Sequence, residues 1–189
     1  MDRRTRTKYL IYTALFAALT CISGFILKIP VPFLPFPITL QVFFVILAGL
    51  MLPPVYAFAS QALYILIGLA GLPVFASGGG IGYVFNPSFG ILIGFMFAAL
   101  VIALIVKYVK ISNKIVLYMI AGTIGIIVMY IVAMPYMFMI LKFYLAKDIT
   151  LKFVLLNYCL IFVPFDLLKA FIAALLANQV LRRINLQNT

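Results

Sequence analysis

The chain has no histidine and no tryptophan, only 3 acidic residues, and 2 cysteines among its 189 residues. Each scarcity closes a class of chemistry. Without histidine there is no imidazole base and no histidine metal ligand, and two cysteines fall short of the four ligands of a structural zinc site. With no paired carboxylates in one motif and no G-x-S-x-G elbow, hydrolytic enzymes are disfavoured. Cys21 and Cys159 both fall in apolar runs, where they read as small packing residues.

Charge is scarce overall. Charged residues make up 9% of the chain, against about 25% in soluble domains, so a soluble fold is excluded. Apolar residues make up 67% and the mean hydropathy is +1.28 over the whole length, so the apolar content is not one anchor on a soluble body. A single transmembrane domain spanning 1–189 follows. The net charge of +11 does not point to nucleic acid, because the basic residues sit in short clusters between apolar runs, where the positive-inside rule uses them. The basic-then-apolar start resembles a signal peptide, but its apolar run is long and no clear small-residue cleavage site follows, so a retained first helix is expected.

Roughly 20 apolar residues cross a hydrocarbon core of about 30 Å. Six runs approach that size: 9–27, 38–52, 55–72, 90–106, 115–141 and 153–181, the second short and the last two long. An all-α membrane protein with six transmembrane helices is the expectation. Breakers mark the gaps: Pro30, Pro32, Pro35 and Pro37, then Pro53 and Pro54, then Pro73 to Pro87 around a glycine run. Lipid offers backbone groups no partners, so the non-helical stretch Pro73–Phe89 must lie outside the core or fold back around a cavity. It carries Tyr83, Asn86 and Ser88, which suits a fold-back lining a site.

Arg3, Arg4, Arg6, Lys8, Lys107, Lys110, Lys114, Arg182 and Arg183 fall on one side of this arrangement, and Lys28, Lys142, Lys147 and Lys152 on the other. Both termini are therefore expected in the cytoplasm, with the proline segment and glycine loop facing out. No internal repeat of the kind found in inverted-repeat carriers is visible, and the chain is small for a complete transporter. A subunit of something larger is suggested.

Asp166 is the one acid well inside an expected helix, and Lys169 follows at i+3 on the same face. A charge at membrane depth costs about 2.5 to 3.5 kcal/mol on insertion scales, so it needs a cavity or a partner. Two readings stay open: an ion pair that only neutralises itself, or a polar floor for a solute. Pro164 either kinks this helix or marks its start, and a start would place Asp166 at the positive end of the dipole. The run Ser77–Tyr83 reads either as a turn or as an array of approachable amides for an anion. No Lys-Ser or Lys-Thr follows it, so it is not a nucleotide P-loop. Gln41 and Asn86 could read a polar ligand, with Phe75, Tyr83, Phe85 and Phe89 against its apolar body. Small residues recur at four-residue spacing at Ala14 and Ala18, Gly90 and Gly94, Ala170 and Ala174, and Ala173 and Ala177. Internal packing is the default for these, while the Ala14–Ala18 face could dock another membrane subunit.

Three segments carry a resemblance: PITLQVFFVILAG (37–49), GLAGLPVFASGGGIGYVFNPSFGILIGF (68–95) and PFDLLKAFIAALLA (164–177). Together they resemble the BioY family, the biotin-binding S components of energy-coupling-factor (ECF) vitamin transporters, nearly end to end. The resemblance implies a six-helix S-component fold in the cell membrane and high-affinity capture of biotin from outside. It also implies association with a transmembrane coupling subunit and two cytoplasmic ATPases that use the ATP, the chain itself being no enzyme and holding no cofactor. Alternatives are an S component for another vitamin and a non-transport scaffold. By motif, Asn86, Asp166 and Lys169 would bind the ureido ring. Gln41 is a further ligand candidate, Gly79, Gly80 and Tyr83 would close over the ligand near its valerate tail, and Ala14 and Ala18 would face the coupling subunit. Three departures stand out, the first being that the glycine loop carries Ser77 and Phe85-Asn86-Pro87-Ser88-Phe89-Gly90 where the resemblance implies a more glycine-rich sequence. Pro164-Phe165-Asp166 replaces a commoner Pro-Gly-Asp, and the run 90–106 has no arginine, so a carboxylate clamp must come from backbone amides, Lys169 or another residue.

Overall fold

The computed structural model describes residues 3–25, 28–29 and 36–184. Its helices are α1 (Arg3–Phe25), α2 (Gln41–Met51), α3 (Pro54–Leu69), α4 (Phe89–Tyr108), α5 (Lys114–Met139), α6 (Leu151–Val154) and α7 (Val163–Ile184). Helix α5 runs on into a π-helical turn, Ile140–Tyr144, and α6 into another, Leu155–Leu160. Between α1 and α2 lies a short antiparallel ribbon, β1 (Lys28–Ile29) with β2 (Ile38–Thr39), the one strand pair among the described residues of a mostly helical fold. The expected breakers Pro30, Pro32 and Pro35, and the helix end at Leu27, lie outside the described residues.

Proline chemistry sets several of the boundaries. Leu52, ahead of Pro53-Pro54, is extended at φ −106° and ψ 151°, as the ring of a following proline requires, and α2 stops there. Pro54 then opens α3, where its missing N–H costs nothing. Asn113 caps α5 by accepting from the backbone N–H of Ile115 at 3.0 Å.

The largest departure from the expected spans is at the last one. The run 153–181 is predominantly apolar and predicts one helix, but the helix breaks at 161–162 and restarts at Val163, with Pro164 in its first turn. Of the two readings of Pro164, helix start is the one observed. α2 and α3 are also short: 11 residues in α2 correspond to about 16 Å of rise, well under the hydrocarbon core.

α2 sits at the centre, packing against α1, α3, α4, α5 and α7 and burying Gln41, Val42 and every residue from Val45 to Leu50. α4 packs most extensively against α5. Glycine permits that approach: a Cβ built on Gly94 would lie 2.6 Å from the Met129 carbonyl oxygen. Ala170, Ala173, Ala174 and Ala177 are all fully buried, so the small-residue face of α7 is an internal contact. Ala14 and Ala18, by contrast, are exposed on α1.

Outward faces are apolar. Ile124, Ile127 and Ile131 on α5 and Leu168, Phe171 and Ile172 on α7 are all exposed. Among the described residues three helices, over 89–108, 114–144 and 163–183, are long and apolar enough to cross a membrane. A helical bundle whose core and surface are both apolar is a multi-pass membrane protein.

Candidate ligand-binding site

A cavity opens between the β ribbon, α2, α4, α5 and the start of α7. Its polar residues are Thr39, Gln41, Tyr83, Ser88, Tyr130, Tyr158, Asp166 and Lys169, and its apolar wall includes Val42, Ile91, Leu92, Phe95, Met129 and Phe162.

The charged floor comes from the restart of α7. Because the helix begins at Val163, Asp166 falls in its first turn, where the unpaired N–H groups favour a carboxylate. Lys169, one turn on, donates to Asp166 Oδ1 at 2.8 Å. Tyr130, reaching from α5, donates to Oδ2 at 2.6 Å. Asp166 and Lys169 are only 3% and 8% exposed, so lipid and bulk water are both excluded from the pair. Each carboxylate oxygen keeps an unused lone pair and the ammonium two further protons, so the pair can both accept from and donate to a solute.

A second polar wall descends from the ribbon. Thr39 donates to Gln41 Oε1 at 3.1 Å, and Gln41 in turn donates through Nε2 to the hydroxyl of the buried Tyr64. The third wall is the fold-back loop. Tyr83, in a 3-10 turn over 81–85, shares a 2.8 Å hydrogen bond with Ser88, whose hydroxyl donates to Asn86 Oδ1 at 2.8 Å. The Ser88 backbone N–H donates to the same oxygen, closing an Asx turn that leads into α4. Tyr136 of α5 ties this loop down by donating to the Val84 carbonyl.

Of the residues expected at the site, the structure brings Gln41, Tyr83, Asp166 and Lys169 together around one cavity. Asn86 stands behind them, its carbonyl spent on Ser88. Gly79 and Gly80 do not line the cavity. Their loop closes on itself, with Phe75 and Gly78 bridging backbone to backbone and the Gly80 N–H donating to Gly68. Gly78 and Gly80 have φ of +127° and +91°, so glycine is required there by the turn. Three polar contributors, Thr39, Tyr130 and Tyr158, escaped sequence reasoning. Thr39 lies beside a proline segment, and Tyr130 is a lone hydroxyl in the apolar run of α5, 36 residues from its partner Asp166.

The fold and cavity together define a class: a multi-pass membrane protein with an internal pocket, polar at its floor and apolar along one wall. The BioY family model matches residues 1–186, and the chain belongs to the BioY family. It is 43% identical over 180 residues to the probable biotin transporter BioY of Lysinibacillus sphaericus, covering 95% of this chain and 90% of that one. To the biotin transporter BioY of Thermotoga maritima it is 35% identical, covering 90% and 94%. Among solved structures it matches the crystal structure of the S-component for biotin from an ECF-type ABC transporter. That match has a TM-score of 0.82 and 28% identity, with 96% of this chain and 95% of that one covered.

Proposed function

We propose that the protein is the high-affinity biotin-binding subunit, the S component, of an ECF-type ATP-driven uptake transporter. The observation that carries this reading is the buried Asp166–Lys169 pair lining a cavity in a fold shared with a biotin S-component. The ureido head of biotin offers two N–H donors and one carbonyl acceptor. Asp166 supplies acceptors and Lys169 a donor, while Phe95, Met129 and Phe162 suit the apolar bicycle and chain. Asn86 contributes by holding Ser88 and Tyr83, and the Gly79–Gly80 turn by shaping the approach to them.

In this reading the chain crosses the cell membrane six times with both termini in the cytoplasm. It hydrolyses nothing and holds no cofactor, and it delivers biotin to a transmembrane coupling subunit driven by two cytoplasmic ATPases. The exposed Ala14–Ala18 face on α1 is the surface offered to that coupling subunit, since small residues let helices approach closely.

Calorimetric titration with biotin of the detergent-purified protein, dialysed to strip copurified ligand, tests the reading. Tight one-to-one binding is expected. A folded sample that ignores biotin but binds another vitamin would reassign the substrate, and one that binds none would leave a scaffold.

A further inference from the structure

Among the described residues the charged ones lining the cavity are Asp166 and Lys169, and they neutralise each other. A ligand that carries a carboxylate therefore finds no unopposed cation inside. Burying an unpaired carboxylate is costly, so a negative tail needs a positive group at the rim. The β ribbon supplies one. Lys28 is the direct cross-strand partner of Thr39, and Thr39 lines the cavity with its hydroxyl bonded to Gln41, which lines it too. Directly opposed residues of a ribbon project from the same face, with Cβ atoms about 4.5–5.5 Å apart. Lys28 is exposed, so its four-carbon stem is free to swing over the opening. The other basic residues of this end are less well placed: Lys147 is exposed in the connection between the π-helical turn and α6 and does not line the cavity. Lys142 lies over the Phe138 ring at 5.2 Å, and Lys152 is six residues before the cavity-lining Tyr158, about 9 Å away along a helix.

We infer that Lys28, at the mouth of the cavity, receives the carboxylate of the bound ligand and so selects for an acid over its neutral derivative. This rests on the biotin reading, in which the acid is the valerate tail. It also fills the role left open by the absence of arginine from 90–106.

The test is equilibrium binding of biotin and of biotin methyl ester, whose tail is uncharged, to the full chain in detergent. Wild type is expected to prefer the acid. Lys28→Ala should weaken biotin about 3- to 10-fold, the range of a partly exposed ion pair, and leave the ester unchanged. Lys28→Arg should restore the preference, Lys28→Glu should reverse it, and Lys152→Ala should leave it as in wild type. Biotin binding by wild type should weaken with added salt and that by Lys28→Ala should not. Equal losses for acid and ester in Lys28→Ala would mean a structural role, and an undiminished preference would mean that the carboxylate lies elsewhere. Either overturns the inference while leaving biotin binding intact. Failure of the biotin reading would show differently, as wild type binding neither compound, and would take this inference with it.

Discussion

At the scale of single residues, the chemistry of this protein is concentrated in Asp166. Its two oxygens are held by groups from two helices, Lys169 on its own and Tyr130 on α5. Preorganisation of this kind keeps the acid aimed without spending ligand-binding energy on ordering it. Asp166→Asn or Lys169→Ala is expected to cost roughly 2 to 5 kcal/mol of biotin affinity, because each leaves a buried partner unpaired. Titration of the folded variants checks this, and unchanged affinity would remove the pair from the site. The contrasting scaffold reading makes its own statement through a double-mutant cycle. There, losing one charge lowers the melting temperature, losing both restores it, and no ligand is involved. The i,i+3 spacing of Asp166 and Lys169 was legible from the chain alone, since a helix permits few other arrangements. Tyr130 was not, because a hydroxyl in the run Ile126–Ala133 looks like any core aromatic until α5 is packed against α7. Asn86 was legible as polar but not in its role, because whether an amide faces a ligand or its own turn depends on the local backbone.

Among elements, the decisive contacts are made by what is missing from side chains. α4 and α5 approach through Gly90 and Gly94, and this contact holds Phe95 and Met129 on the same cavity wall. Gly94→Ala would press a methyl against the Met129 backbone, which cannot move away as a side chain could. A loss of about 1–3 kcal/mol is expected, read as a lowered melting temperature in detergent, with weakened biotin binding following from the displaced wall. The small-residue pairs divide by location. Those on α7 are buried and serve the bundle, whereas Ala14 and Ala18 face outward and serve nothing within it. Replacing both with leucine should therefore leave biotin binding intact and abolish co-purification with the coupling subunit. Loss of biotin binding instead would assign that face to internal packing. Sequence spacing identified all these pairs alike and could not sort them, since periodicity records a face but not its neighbour.

For the molecule as a whole, nine basic residues gather at the two termini and in the 107–114 connection, which argues for a single orientation. Reporter fusions at either terminus should report the cytoplasm, and a cysteine introduced at Asp148 should react with an impermeant reagent from outside. The opposite labelling pattern would turn the cavity inward and exclude capture from the exterior. Composition alone settled that the chain lives in a membrane, because so little charge and so much apolar surface have no other stable home. It also settled where proline halts a helix, because a missing N–H and a fixed φ are properties of the residue itself. What the tertiary structure decided is where a long, mostly apolar run stops being one helix, as at 161–162, and which polar groups meet. Hydropathy carries no information about either. Both depend on distant segments such as α5 and the β ribbon arriving at the first turn of α7, where a buried charge must find its partners.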